Sequence, residues 1–360
     1  MTDMIFQLSN VYMKDVETSV KPESINNLLG DIITNRVVGI AYHNILKYRE
    51  FIVPNEFMSA LKVIFNEDVE KSKHFKNDIK YISDIFKAVK FDYALLKGAF
   101  LTTKLYDSGL RTSNDIDVLI NEKDITSCQN ILLENGFVQG EYKKTEGIIP
   151  ATRREIITSR MNFGETIPFV KLIDGEPLYI DLNFSVDFKP SGTNTIVSEL
   201  LNNTIAVAFE NVSFRTLHMT DFLIHLCCHL YKEATTINWV RDNRDLQLYK
   251  FSDINVFLNE FHSEEYFEKL YDRIEYFEVS KECYYTFYNT AIIFPDINNI
   301  KGFKELLNKI QPDDLRFMKE VVDPMNNTIY RHEMNFSDWF HCQKRIDNLR
   351  SYEMEDNLVE

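Results

Sequence analysis

Two aspartates one residue apart, Asp115 and Asp117, open the run Asp115-Ile-Asp-Val-Leu-Ile120. Polar and apolar residues alternate at the period of a strand. Both carboxylates then project from one face, about 7 Å apart along the chain, while Ile116, Val118 and Ile120 face a core. Two carboxylates held side by side repel each other unless a cation sits between them. A magnesium site for phosphoryl or nucleotidyl transfer is built in this way. An isolated Asp-x-Asp is more often solvated charge, so the pair gains meaning only from its surroundings.

Those surroundings are specific. Tyr93 to Lys97 is a short apolar run of strand length, and Gly98 follows at a turn where a missing Cβ lets backbone approach a ligand. Ala99 to Tyr106 has helical composition, with Leu101 and Leu105 four apart on one face, and Gly109 stops it. Arg111-x-Ser113-Asn114 leads straight into the acids. Further on, Phe169–Ile173, Asp174-Gly175 and Leu178–Phe184 read as a β-hairpin across an Asp-Gly turn. On its second arm Tyr179, Asp181 and Asn183 share a face, and an acid there suits a strand that meets metal or substrate. Asp187 is a weaker candidate.

The 93–120 run resembles the polymerase-beta-like nucleotidyltransferases, in which a glycine turn and a helix precede an Asp-x-Asp strand. Within them it resembles a bacterial group of uncharacterised nucleotidyltransferases. Leu95-Leu96-Lys97-Gly98, Tyr106, Gly109-Leu110-Arg111 and Asp115–Ile120 carry that likeness, which extends loosely over residues 25–250. The resemblance implies an α+β fold: a small mixed β-sheet nucleotidyltransferase core over 91–190, flanked by helical regions at 1–90 and 191–360. It implies that Asp115, Asp117 and Asp181 are the catalytic, metal-holding acids, with Asp181 the third acid from a neighbouring strand. Mg²⁺, or Mn²⁺ in its place, is the expected cofactor, and an NTP, with ATP the first choice, the expected substrate. Lys97, Gly98, Arg111 and Ser113 are the expected phosphate contacts, helped by backbone amides at the helix start. The group often has Asp-Leu-His where this chain has Asp181-Leu182-Asn183. The carboxylate is kept, and any role of the histidine is not.

Composition narrows the acceptor. The 360 residues carry a formal charge of −15, which disfavours a broad grip on a nucleic-acid backbone. A small molecule or a peptide fits better, although Lys143-Lys144 with Arg153-Arg154 forms a local basic patch. The rival readings are a toxin-like enzyme acting on tRNA and a non-catalytic nucleotide-binding protein. Five cysteines without a Cys-x-x-Cys suggest neither a disulfide framework nor structural zinc. The absence of a Walker phosphate loop excludes that class of ATPase and kinase. With no basic-then-apolar leader and no apolar run near the ~20 residues of a membrane span, no membrane association is expected and a cytoplasmic location is.

The remaining elements are read from periodicity. Ser24 is the expected N-cap of a helix over 25–33, and helices follow over 40–46 and, as one or two, 55–89. His43 and His74 are expected to be structural or surface residues. Residues 121–135 predict a helix stopped by Gly136, 140–152 a loop, and 154–163 a strand. A loop, helix and strand are expected over 191–213. His225 and His229 lie four apart on a helix over 222–231; Leu226 stands where a zinc protease needs Glu, so both are expected to be buried structural histidines. Trp239 to Asp245 reads as an exposed, salt-bridged helix. Residues 253–360 read as helical and aromatic-rich, without a motif.

Overall fold

The computed structural model describes residues 3–14, 25–48, 50–163, 165–186 and 195–352; Ser24 and Asp187 lie outside them. Helices α1 (Met4–Leu8), α2 (Ile25–Thr34), α3 (Val38–Lys47) and α4 (Asn55–Phe86) come first. The last is one continuous helix begun after Pro54, and its buried stripe Phe75, Ile79, Ile82 and Phe86 has the spacing of a single helical face. His43 and His74 are exposed on α3 and α4.

Next come β1 (Tyr93–Leu95), α5 (Gly98–Lys104), β2 (Asp115–Ile120), α6 (Ile125–Glu134), β3 (Val138–Lys143), β4 (Gly147–Pro150), α7 (Arg153–Phe163), β5 (Phe169–Ile173) and β6 (Glu176–Asn183). The strands form one mixed sheet in the order β1-β2-β6-β5-β3-β4, with β2 and β6 parallel and the other neighbours antiparallel. Asp174 and Gly175 have φ of 51° and 87°, the pair of positive values that a two-residue hairpin turn requires. Ile116, Val118, Ile180 and Leu182 are fully buried on one face of the sheet.

Two expectations fail here. Residues 154–163 belong to a helix, not a strand. The Thr152 amide donates to the Glu155 carboxylate at 2.7 Å, and the Glu155 amide donates back to the Thr152 hydroxyl at 3.3 Å. This capping box fixes a helix start that side-chain alternation alone does not reveal. Residues 140–152 are not a loop but largely a hairpin, β3–β4. Its glycine serves a close approach: a Cβ on Gly140 would lie 2.1 Å from the Ile149 carbonyl oxygen.

The chain continues through α8 (Thr195–Asn202), the hairpin β7 (Thr204–Phe209) and β8 (Val212–Leu217), α9 (Met219–Ala234), α10 (Ile237–Arg241), α11 (Leu248–Glu260), α12 (Glu264–Phe277), α13 (Ser280–Ile293), α14 (Phe303–Lys309), β9 (Glu320–Asp323), β10 (Thr328–Arg331), α15 (Phe336–His341) and β11 (Arg350–Tyr352). The Thr216 hydroxyl on β8 donates to the Leu95 carbonyl at 2.7 Å, which ties this hairpin to β1. The C-terminal part is therefore not all helical: β9, β10 and β11 form a three-stranded antiparallel sheet. Its strands are too short for periodicity to announce, but the Asp323 side chain caps the intervening turn by accepting from the Met325 amide at 3.0 Å. The expected exposed helix over 239–245 is also corrected. Helix α10 ends at Arg241, and Asp245 is fully buried in an ion pair with Arg345 at 2.7 Å. No helix among the described residues is long and apolar enough to cross a membrane.

Candidate active site

The parallel pairing of β2 with β6 puts Asp117 directly beside Asp181, and Asp115 beside Tyr179. Register partners on adjacent strands point to the same face, about 4.8 Å apart at the backbone. The three acids therefore share the face opposite Ile116, Val118, Ile180 and Leu182. Asp115 is exposed at the strand's start, Asp117 is buried and Asp181 half-buried. Lys171, across the hairpin, does not serve Asp181: it pairs in register with Leu178 on the opposite face, and its ammonium donates to the Tyr81 hydroxyl at 2.6 Å and to the Asn135 carbonyl at 2.7 Å.

The electrostatics follow from that crowding. Although Asp115 keeps an exposed edge, enclosure of its carboxyl by the surrounding protein, then the charge of Asp117, raises that group above its ordinary range. Asp181 is pushed well above it by burial and then by Asp115, Asp117 and Glu165. Its Oδ1 is buried with no hydrogen-bond partner. An unpartnered buried carboxylate oxygen beside two further acids is an environment that a cation would relieve.

Lys97 supplies part of the countercharge. Its ammonium lies 2.7 Å from Asp117 Oδ1, with both side chains largely buried. Burial opposes the lysine's charge, but Asp117 and Glu233 outweigh it and hold its pKa above the ordinary value. The backbone at Lys97 has φ 40° and ψ −111°, in the left-handed half of conformational space that side chains avoid. Such strain costs on the order of 1–3 kcal/mol and persists only where surrounding contacts impose it.

Gly98 follows for a packing reason. A Cβ there would lie 2.0 Å from Ser113 Oγ, so only glycine lets the 111–114 loop close over the start of α5. The Ser113 hydroxyl accepts from Arg111 Nη1. Arg111 is itself buried against α11, donating through Nε and Nη2 to Asp253 at 3.4 and 3.0 Å and through Nη1 to the Thr112 carbonyl at 2.8 Å. Thus Lys97 reaches the acids and Ser113 packs on Gly98, whereas the Arg111 guanidinium anchors the loop to α11. Among the described residues, no three His, Cys, Asp or Glu side chains already stand in a metal-ligating arrangement.

Sequence reasoning named Asn183, His225 and His229 without their contacts to the acids and Lys97, and it missed Glu165 and Glu233. Asn183 Nδ2 donates to Asp117 Oδ1 at 3.3 Å, so the residue that departs from the Asp-Leu-His pattern still serves the central acid. Glu165 bridges to Asn183, and burial raises its carboxyl. On α9, the His225 and His229 rings stack at 6.4 Å, and His229 Nε2 lies 3.3 Å from Glu233, which also pairs with Lys250. Burial and then Lys97 hold His225 well below the ordinary histidine range. Residues 225, 229 and 233 are spaced to line one helical face, and Lys97 acts on all three. Of the two histidines expected to be buried, His225 is and His229 is half-buried.

A comparison with curated proteins found no match to the chain. A family model described as "Uncharacterised nucleotidyltransferase" matches residues 21–295. That span takes in the glycine turn, both acid-bearing strands and the histidine face of α9, well over half of the sequence, and the chain belongs to this nucleotidyltransferase family.

Proposed function

We propose that the protein transfers a nucleoside monophosphate from an NTP, with ATP the first choice, to a small-molecule, peptide or protein acceptor and releases pyrophosphate. The observation that carries this reading is the pairing of Asp117 with Asp181 across parallel strands, with Asp115 on the same face. Asp115, Asp117 and Asp181 are the residues that would hold Mg²⁺ or Mn²⁺. The unpartnered Asp181 Oδ1 and the raised carboxyls of Asp115 and Asp181 fit a divalent ion. When bound, such an ion neutralises triphosphate oxygens and makes an acceptor hydroxyl more acidic.

The chain's own residues do the rest. Asp181 takes the proton of the acceptor, whose oxygen forms a bond to the α-phosphorus as the bond to the bridging oxygen breaks and pyrophosphate leaves. Lys97 and Asn183 fix the Asp117 carboxylate through its Oδ1. Ser113 packs on Gly98 at the start of α5, two residues before Asp115, and would meet phosphate oxygens from there. The −15 charge favours an acceptor other than a nucleic acid.

The test is incubation with each NTP labelled at the α-phosphate and a cell extract, followed by separation of small molecules, proteins and RNA. Label is expected in the small-molecule or protein fraction, dependent on Mg²⁺ or Mn²⁺ and absent with Asp117→Asn. Label confined to RNA would move the acceptor to nucleic acid. No transfer from any NTP with either ion would overturn the reading.

A further inference from the structure

We propose that Arg36, in the turn between α2 and α3, is the residue that holds the pyrophosphate end of the NTP. This rests on the nucleotidyltransferase reading and adds a substrate contact outside the glycine turn and the acid-bearing strands.

The first observation is its backbone. The Arg36 amide donates to the Ile33 carbonyl at 3.0 Å and the Val37 amide to the Ile32 carbonyl at 3.2 Å, and φ at Arg36 is 57°. This is a Schellman ending of α2 with Arg36 at the left-handed position, where glycine is strongly preferred. An arginine there carries a backbone cost that glycine would avoid.

The second observation is where that side chain goes. Arg36 Nη2 donates to the Thr112 carbonyl at 3.4 Å, in the loop running from Arg111 through Ser113 to Asp115. The guanidinium lies 4.7 Å from the centre of the Tyr249 ring, and Arg111 sits over the same ring at 5.3 Å. The α3 helix that follows is pressed against this region, since a Cβ on Gly39 would fall 1.9 Å from the Gly109 carbonyl oxygen. Arg36 is thus a half-buried cation held by stacking beside the loop that delivers Asp115.

The third observation is what it does not do. Lys97 is committed to Asp117 and Arg111 to Asp253. Arg36 has one long hydrogen bond and, among the described residues, no ion pair at contact distance. Asp115 and Asp68 feel its charge only from further off. A guanidinium has five donors in a planar fork suited to two phosphate oxygens, and stacking on an aromatic ring leaves that fork pre-set. A polyanion entering beside Asp115 meets it. The reacting α-phosphate belongs at the acids, which leaves the β- and γ-phosphates for Arg36.

Titration calorimetry on the full chain tests this, with inorganic pyrophosphate, the NTPs and their monophosphates, each with Mg²⁺. The variants are Arg36→Gly and Arg36→Lys. Glycine suits the backbone at 36, so the first variant is expected to fold, which its melting curve checks. Pyrophosphate and NTP affinity should fall about 10- to 100-fold in Arg36→Gly, the loss expected for a bidentate charged contact. Monophosphate affinity should stay within twofold. Arg36→Lys should fall between, as an ammonium offers no fork. Unchanged pyrophosphate affinity in Arg36→Gly would refute the assignment. A parallel fall for monophosphate would do the same, because Arg36 would then be ordering the loop. Wild-type protein that binds no NTP and no pyrophosphate would remove the nucleotidyltransferase reading itself, and Arg36 with it.

Discussion

Lys97 and Asp117 form a 2.7 Å ion pair across the start of the sheet, the lysine from a strained turn after β1 and the aspartate from the middle of β2. The pair lets the protein bury one acid of its cluster without a bound ion. Asn183 adds a second donor to the same Asp117 oxygen, while Asp181 Oδ1 receives none. The acids are therefore unequal: Asp117 is satisfied by the protein, and Asp181 is left as the oxygen most in need of a partner.

That inequality predicts how the pair responds to mutation. Lys97→Met should destabilise the protein by about 3 kcal/mol, because removing one partner of a buried pair leaves the other charge uncompensated. Lys97→Met combined with Asp117→Asn should recover much of that loss. Urea unfolding of both singles and the double variant measures the coupling; additive effects would mean that the pair is not an energetic unit.

Asp115 and Asp117 should separate by stability while agreeing in activity. Both Asn variants are expected to lose nucleotidyl transfer by several orders of magnitude, since charge at the transferred phosphate is central to this chemistry. Asp115→Asn relieves repulsion at an exposed position and should leave the melting temperature unchanged or higher. Asp117→Asn strands the Lys97 ammonium and should lower it. Activity of either variant within tenfold of wild type would contradict the roles proposed for these acids.

The strand, the glycine turn and the hairpin that carry the candidate acids were legible from residue order. Glycine before a helix and alternation through 115–120 are local signals, and the Asp174-Gly175 turn fixed the register that puts Asp181 on β6. What joins Asp117 to Asp181 is a parallel pairing between residues 64 apart in number, and no local pattern specifies that neighbour. The role of Arg111 was hidden for the same reason, because its partner Asp253 comes from a distant helix. Helix α7 was misread from its apolar residues although Thr152 and Glu155 spelled out its cap. The sheet β9–β11 escaped because strands of three or four residues carry too little alternation to distinguish them from helix.

Away from the acids, the stability of the C-terminal part should depend on pH through His332. Its ring stacks on Trp339 at 3.8 Å, and burial, with Lys319 nearby, lowers its pKa from 6.5 to about 4. A folded-state value below the unfolded one means that the unfolded chain binds the proton more readily. The contribution is complete above pH 6.5 and is lost as pH falls towards about 4. Thermal unfolding between these limits should show stability rising with pH, and His332→Phe should flatten the rise. A variant with the wild-type slope would assign the dependence to other groups.

Asp181 gives the sharpest separation of chemistry from binding. If it only contributes charge to a strand surface, Asp181→Ala should change turnover little and stability by no more than about 1 kcal/mol, as exposed ionic groups do. Its surroundings argue otherwise, because its pKa is raised by burial and by three neighbouring acids, with Lys97 opposing them weakly. Removing such a group should stabilise the protein without ligand, since a repulsive and unpartnered charge disappears. NTP binding in Mg²⁺ should remain within a few-fold, held by Asp115, Asp117 and the phosphate contacts. The chemical step should collapse, because no group remains to take the acceptor proton. Single-turnover kinetics with saturating NTP distinguish these outcomes, together with calorimetric NTP affinity and a melting curve. A variant that is more stable, binds NTP normally and fails to transfer supports Asp181 as the base. A variant that loses NTP affinity in proportion to activity would make Asp181 a nucleotide-holding residue and leave the acceptor's proton to Glu165 or solvent.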